Sequence, residues 1–86
     1  VPQQPDGYFF LGRALMVQGK AAEAKEQLEK AVKIDGTIPI FHLELGKAQA
    51  QLGEKTQARE HLQRANELNP AGPEAAEARR RLQELK

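Results

Sequence analysis

Few side chains in this sequence could do covalent or acid–base chemistry. His42 and His61 are its histidines, Thr37, Thr56 and Tyr8 its hydroxyls, and cysteine, serine and tryptophan are absent. Nucleophilic catalysis needs an activated hydroxyl or thiol beside a base, and a zinc site needs three or four converging ligands. Two histidines and isolated hydroxyls meet neither requirement, so the expectation is no enzyme, no metal and no cofactor. The lack of cysteine also removes disulfides. His61 precedes Leu62 and is expected to face outward.

Charge is the next source of chemistry. Thirteen basic and twelve acidic residues leave a formal charge of +1, too little field to gather nucleic acid or an anionic membrane. The run Arg79-Arg80-Arg81 is flanked by Glu74, Glu77 and Glu84. Glu77 and Arg81 form a favourable i,i+4 pair, so the run reads as a solvated helix face, not a nucleic-acid patch. No apolar run approaches the roughly 20 residues needed to cross a bilayer, and Val1-Pro2-Gln3-Gln4-Pro5 lacks the pattern of a signal peptide. The chain does not begin with methionine, so a fragment or processed form is expected, and the compartment is not readable.

The elements that must position these residues show themselves as a repeat. Leu11-Gly12 recurs as Leu45-Gly46, Gly19 as Gly53, Ala24 as Ala58, Leu28 as Leu62 and Ala31 as Ala65. The common offset is 34 residues, as from Gly12 to Gly46. Pro5, Pro39 and Pro73 share it, and proline favours the first turn of a helix. Gly19 and Gly53 interrupt helical periodicity as a tight helix-to-helix turn would. Asp35-Gly36, through a residue tolerant of left-handed geometry, and Asn69-Pro70, through a proline, end the second helix of each unit. Helices are predicted over 6–18, 21–34, 39–52, 55–68 and 73–85.

A fixed period of this length is the mark of a repeat architecture, and the pattern resembles the tetratricopeptide repeat. The slots of that motif hold Tyr8, Leu11-Gly12, Leu15, Ala24, Leu28, Ala31 and Gly36 in the first unit. In the second they hold His42, Leu45-Gly46, Gln49, Ala58, Leu62, Ala65 and Pro70. His42 and Gln49 depart from the usual larger apolar residues and weaken the packing of the second hairpin. The resemblance implies an all-α solenoid of two antiparallel helix hairpins, residues 5–38 and 39–72, with a solvating capping helix over 73–86, in one domain covering 1–86. Chaperone-binding members clamp a C-terminal carboxylate with groove cations. The corresponding positions are Phe9, Arg13, Glu44, Glu74 and Ala78, so that clamp is not expected.

Steps of 100° per residue place Tyr8, Leu11, Gly12 and Leu15 toward Ala24, Leu28 and Ala31. Phe9 and Met16 fall on another flank, where they are expected to stack on Phe41 and Ala48 of the next unit. Ala75 and Leu82 continue that flank, while Arg79, Arg80 and Gln83 face water and end the array. The remaining side of each first helix lines the inner curve of a solenoid. It carries Phe10, Arg13 and Val17, then Glu44, Lys47 and Gln51, then Ala78, Arg81 and Leu85. The expected function is capture of a partner protein or peptide there, with Phe10 and Val17 as apolar anchor and Arg13, Lys47 and Arg81 as a row of cations. A competing expectation is structural: a second copy, or the rest of a longer protein, covers Phe10 and Val17, and the cations pair with Glu44 or Glu77.

Overall fold

The computed structural model describes residues 4–85, and within them the backbone forms five helices and no strand. They are α1 (Pro5–Val17), α2 (Ala21–Ile34), α3 (Pro39–Gln51), α4 (Lys55–Leu68) and α5 (Pro73–Glu84). The predicted spans agree to within a residue at each end. The first residues of the expected domain and its expected end at Lys86 lie outside the described residues.

Each proline-led helix begins in the same way. The residues before Pro5, Pro39 and Pro73 are extended, with φ/ψ of −81/130° at Gln4, −97/112° at Ile38 and −82/164° at Gly72. Proline imposes this on its predecessor while supplying the helical φ for the first turn. The hairpin turns are equally regular. Gly19 and Gly53 take left-handed φ values of 79° and 78°. Lys20 N–H then bonds Leu15 C=O at 2.9 Å and Glu54 N–H bonds Gln49 C=O at 2.9 Å. These bonds satisfy carbonyls that the helix ends leave open, in the Schellman arrangement.

The end of α2 differs from expectation. Gly36 does not adopt a positive φ. The turn is closed instead by Asp35, whose Oδ1 accepts from Thr37 N–H at 3.0 Å and from Thr37 Oγ1 at 2.6 Å. A carboxylate that bonds the backbone two residues on does the work of a turn residue, and it holds the Asp35 carboxyl below its ordinary 3.8.

The hairpins close through small residues. Gly12 and Gly46 are buried against Leu28 and Leu62. Phe9 lies on Phe41 with ring centroids 4.9 Å apart, and Met16 and Ala48 join the same cluster, as the flank analysis requires. A second cluster of Leu43, Leu62, Ala65 and Ala78 is completed by Ile40, Leu82 and Leu85. Helix α5 packs on α4 and α3. Arg79 turns from this core to Asn66 Oδ1 at 2.8 Å and Pro70 C=O at 3.1 Å, and Arg80 and Gln83 are exposed.

One core residue is misplaced by the sequence pattern. Leu11 is 48% exposed, whereas Leu45 in the same slot is 1% exposed. Leu45 shares a cluster with Ala24, Leu28 and Ala31 of the preceding hairpin. No described helix covers Leu11 in that way.

Candidate functional site

Among the described residues, three of the four exposed large apolar side chains, Phe10, Leu11 and Val17, lie on α1. Phe10 is 63% and Val17 89% exposed. They stand two turns apart on one side of the helix, as a separation of seven residues dictates. Phe10 also leans on Phe9, with centroids 5.4 Å apart at 56°. Arg13, one turn on, places its guanidinium carbon 5.6 Å from the centre of the Phe9 ring, close enough for a cation–π contact. Arg13 is exposed and makes no ion pair among the described residues.

The other two cations are already engaged. Lys47 Nζ lies 3.3 Å from Glu44 Oε2 and 3.4 Å from Glu77 Oε2. Arg81 Nη2 lies 3.3 Å from that same Glu77 oxygen. Burial pushes the Glu77 carboxyl up, but Lys47 and Arg81 outweigh burial and hold it below its ordinary 4.5. The anticipated row of three cations is therefore one open guanidinium followed by a network in which two cations share an anion.

Two expected groove residues sit elsewhere. Ala78 is wholly buried in the second core cluster because α5 packs down on α3 and α4. Glu44 is 6% exposed, its carboxylate turned to Lys47. Neither belongs to the open face, whereas Gln51 is exposed. Glu77, considered in the sequence only as a pairing group, is the centre of the charge network. The signal that identifies it is the i,i+4 spacing to Arg81 combined with the repeat position of Lys47.

A separate polar cluster occupies the slots where His42 and Gln49 depart from the repeat motif. His61 does not simply face outward: its ring stacks on His42 with centroids 5.6 Å apart at 25°. Its Nδ1 lies 2.9 Å from Gln49 Oε1. The two departures in α3 are thus matched by one in α4. His42 Nε2 donates to Gly36 C=O at 2.9 Å, while Nδ1 is buried without a partner. Burial, with His61 and Arg64 nearby, lowers the His42 pKa below its ordinary 6.5 against the opposing pull of the Gly36 bond. The described residues contain no group of three or more His, Asp or Glu side chains able to hold a metal ion.

A family model described as the tetratricopeptide repeat matches residues 10–73. No curated protein sequence matches the chain significantly. Among solved structures, the chain is similar to MamA, with 32% identity and a TM-score of 0.90 over 98% of this chain and 47% of that one. It is similar in fold to the first repeat domain of Spaghetti, solved with the HSP90 peptide SRMEEVD, with 23% identity, TM-score 0.89, and 98% and 64% of the two chains covered. It is likewise similar in fold to the Yersinia enterocolitica type III secretion chaperone SycD, solved with a peptide of the translocator YopD. That match has 23% identity, TM-score 0.80, and coverage of 96% and 63%. The chain spans less than two thirds of the length of each of these structures.

Proposed function

Because the chain belongs to the tetratricopeptide repeat family of helical protein-interaction modules, we propose that it captures a protein or peptide segment on the face of its first helices. The segment lies against Phe10 and Val17, meets Arg13 with a carboxylate, and passes the Lys47–Glu77–Arg81 network and Gln51. The exposure of Phe10 and Val17 beside the open guanidinium carries this reading: an apolar anchor next to an unshared charge is how a few residues come to dominate a binding surface. Spaghetti and SycD, with peptides bound in their structures, support a peptide as the class of ligand.

An acidic chaperone tail is not the ligand proposed. Phe9 is buried in the stack with Phe41, and Ala78 in the core. Of the positions that would hold carboxylate-clamping cations, only Arg13 therefore offers one. The partner is read as a segment with a large apolar side chain next to one acid.

Selection of displayed peptides on the intact chain, with Phe10→Ala, Val17→Ala protein as counter-target, tests this. Enriched peptides should pair an apolar residue with an acid and lose binding on the double variant. Peptides that bind both forms equally would remove the face from consideration. A mass that doubles with concentration and returns to one chain in the double variant would instead make a second copy the occupant.

A further inference from the structure

The two repeats end their second helices with different chemistry. Where the second unit has Asn69-Pro70, the first has Asp35-Gly36, with glycine in the slot of the motif's proline. A proline nitrogen carries no proton, so it cannot close a ring onto the side chain before it. The Gly36 nitrogen carries one, and no side chain shields it. Asp35 is therefore open to a reaction that the second unit forbids, attack of the following amide nitrogen on the side-chain carboxyl carbon.

Asp35 is both placed for that attack and restrained from it. Its Oδ1 accepts from Thr37 N–H at 3.0 Å, a bond that arches the carboxyl group over the Gly36 amide lying between the two residues. Asp35 has left the helix, with φ/ψ of −145/98°, and Gly36 N–H makes no hydrogen bond among the described residues. The restraint is the hydroxyl. Thr37 Oγ1 donates to the same oxygen at 2.6 Å and, with the backbone bond, holds the carboxyl below its ordinary 3.8 and so ionised. Ring closure must expel a carboxyl oxygen as water, which an ionised carboxylate does not release until it takes up a proton. The chain's other aspartate–glycine step, Asp6-Gly7, lies in the first turn of α1 with Tyr8 in the position of Thr37.

We propose that Asp35–Gly36 is a site of spontaneous aspartate isomerisation, held in check by the Thr37 hydroxyl, at the joint between the two hairpins. The Gly36 nitrogen bonds to Asp35 Cγ, and its proton leaves with the carboxyl hydroxyl as water, giving a cyclic imide. Solvent water opens the imide at either carbonyl. Opening at Cγ restores aspartate. Opening at the main-chain carbonyl leaves isoaspartate, with the backbone running through Cγ and longer by one methylene. That methylene enters one residue before the Gly36 C=O, which accepts from His42 Nε2 at 2.9 Å. Isomerisation draws the carbonyl from the ring and removes the bond between the joint and α3.

The test ages the full chain for weeks in neutral buffer beside Thr37→Val and Gly36→Ala proteins, and measures isoaspartate at each site by electron-transfer fragmentation of peptides. Gly36 has no positive φ, and a Cβ there would meet only Val32 C=O at 3.4 Å, so alanine is accommodated. Circular dichroism reports that both variants are folded, and Asp6–Gly7 serves as an internal clock. Thr37→Val should raise isoaspartate at residue 35 roughly three- to tenfold against that clock, as loss of one exposed hydrogen bond to a charged group allows. Gly36→Ala should suppress it. In the isomerised fraction, separated by ion exchange, the His42 ring resonances should shift. Equal accumulation in the parent and Thr37→Val proteins, a rise shared by Asp6, accumulation undiminished in Gly36→Ala, no isoaspartate at residue 35 in any form, or unmoved His42 resonances would each overturn the proposal.

Discussion

Leu28 fills the notch that Gly12 leaves: a Cβ on Gly12 would stand 2.7 Å from Leu28 Cγ and 2.8 Å from Cδ2. Gly46 and Leu62 repeat the contact at 2.8 and 3.0 Å, with Ala58 C=O a further 3.2 Å neighbour. Both leucines are wholly buried and cannot swing aside. Overpacking costs about 1–3 kcal/mol, and alanine returns about 1 kcal/mol in helix propensity. Gly12→Ala and Gly46→Ala should therefore lower stability in urea unfolding by up to about 2 kcal/mol. Gly7→Ala, facing open space, should raise it by about 0.5–1 kcal/mol.

The turn glycines obey a different constraint. Nothing crowds a Cβ at Gly19 or Gly53, but both have left-handed φ. Alanine at either should cost about 1–2 kcal/mol, visible as a lower urea midpoint, while asparagine, which tolerates that region better, should cost less. Equal losses for the two substitutions would point to something other than φ.

His42 sets a pH dependence. Its folded pKa lies below the unfolded value near 6.5, so the unfolded chain binds more protons in this range. The contribution is fully present above about pH 6.5, declines as pH falls toward the folded pKa, and is flat below it. The other groups with shifted values, Asp35, Glu77 and Lys25, titrate outside this window. Thermal unfolding should occur at lower temperature at about pH 5.5 than at about pH 7.5. His42→Phe should flatten that difference, and a slope unchanged by the substitution would assign it elsewhere.

Glu77 is the residue to change for charge. Glu77→Gln removes the anion that Lys47 and Arg81 share, freeing Arg81 to meet a ligand and leaving Lys47 with Glu44 alone. Peptides bearing acids should bind the variant about two- to fivefold more tightly, with steeper salt dependence. Titration calorimetry at two salt concentrations reads both quantities, and weaker binding would show that Glu77 itself contacts the ligand.

The helices were legible because the 34-residue recurrence and the three prolines are local signals. The Phe9–Phe41 contact was legible because flank position follows from helical phase. Burial on the inter-repeat flank was not, since it depends on what lies beside a helix and not on its own sequence. Leu11 and Leu45 are the same residue in the same slot with opposite exposure. Glu44 and Ala78, counted with the groove from their phase, are buried by neighbours that Phe10 lacks. The His42–His61 stack is not legible from either histidine alone. Gln49, a departure in the same face, was the clue that the core there had turned polar as a group.

The hairpins are joined by ties of unlike character: an apolar seam, in which Phe9 meets Phe41 and Leu45 and Ala48 share a cluster with Ala24, Leu28 and Ala31, and the ion pair of Lys25 with Glu54. Salt screens the second and leaves the first almost untouched. The joint therefore has an apolar edge that ionic strength leaves in place and a charged edge that it loosens. Small-angle scattering should show the end-to-end length drifting between low and high salt at constant helicity. Superimposable profiles would mean that the apolar seam alone sets the bend.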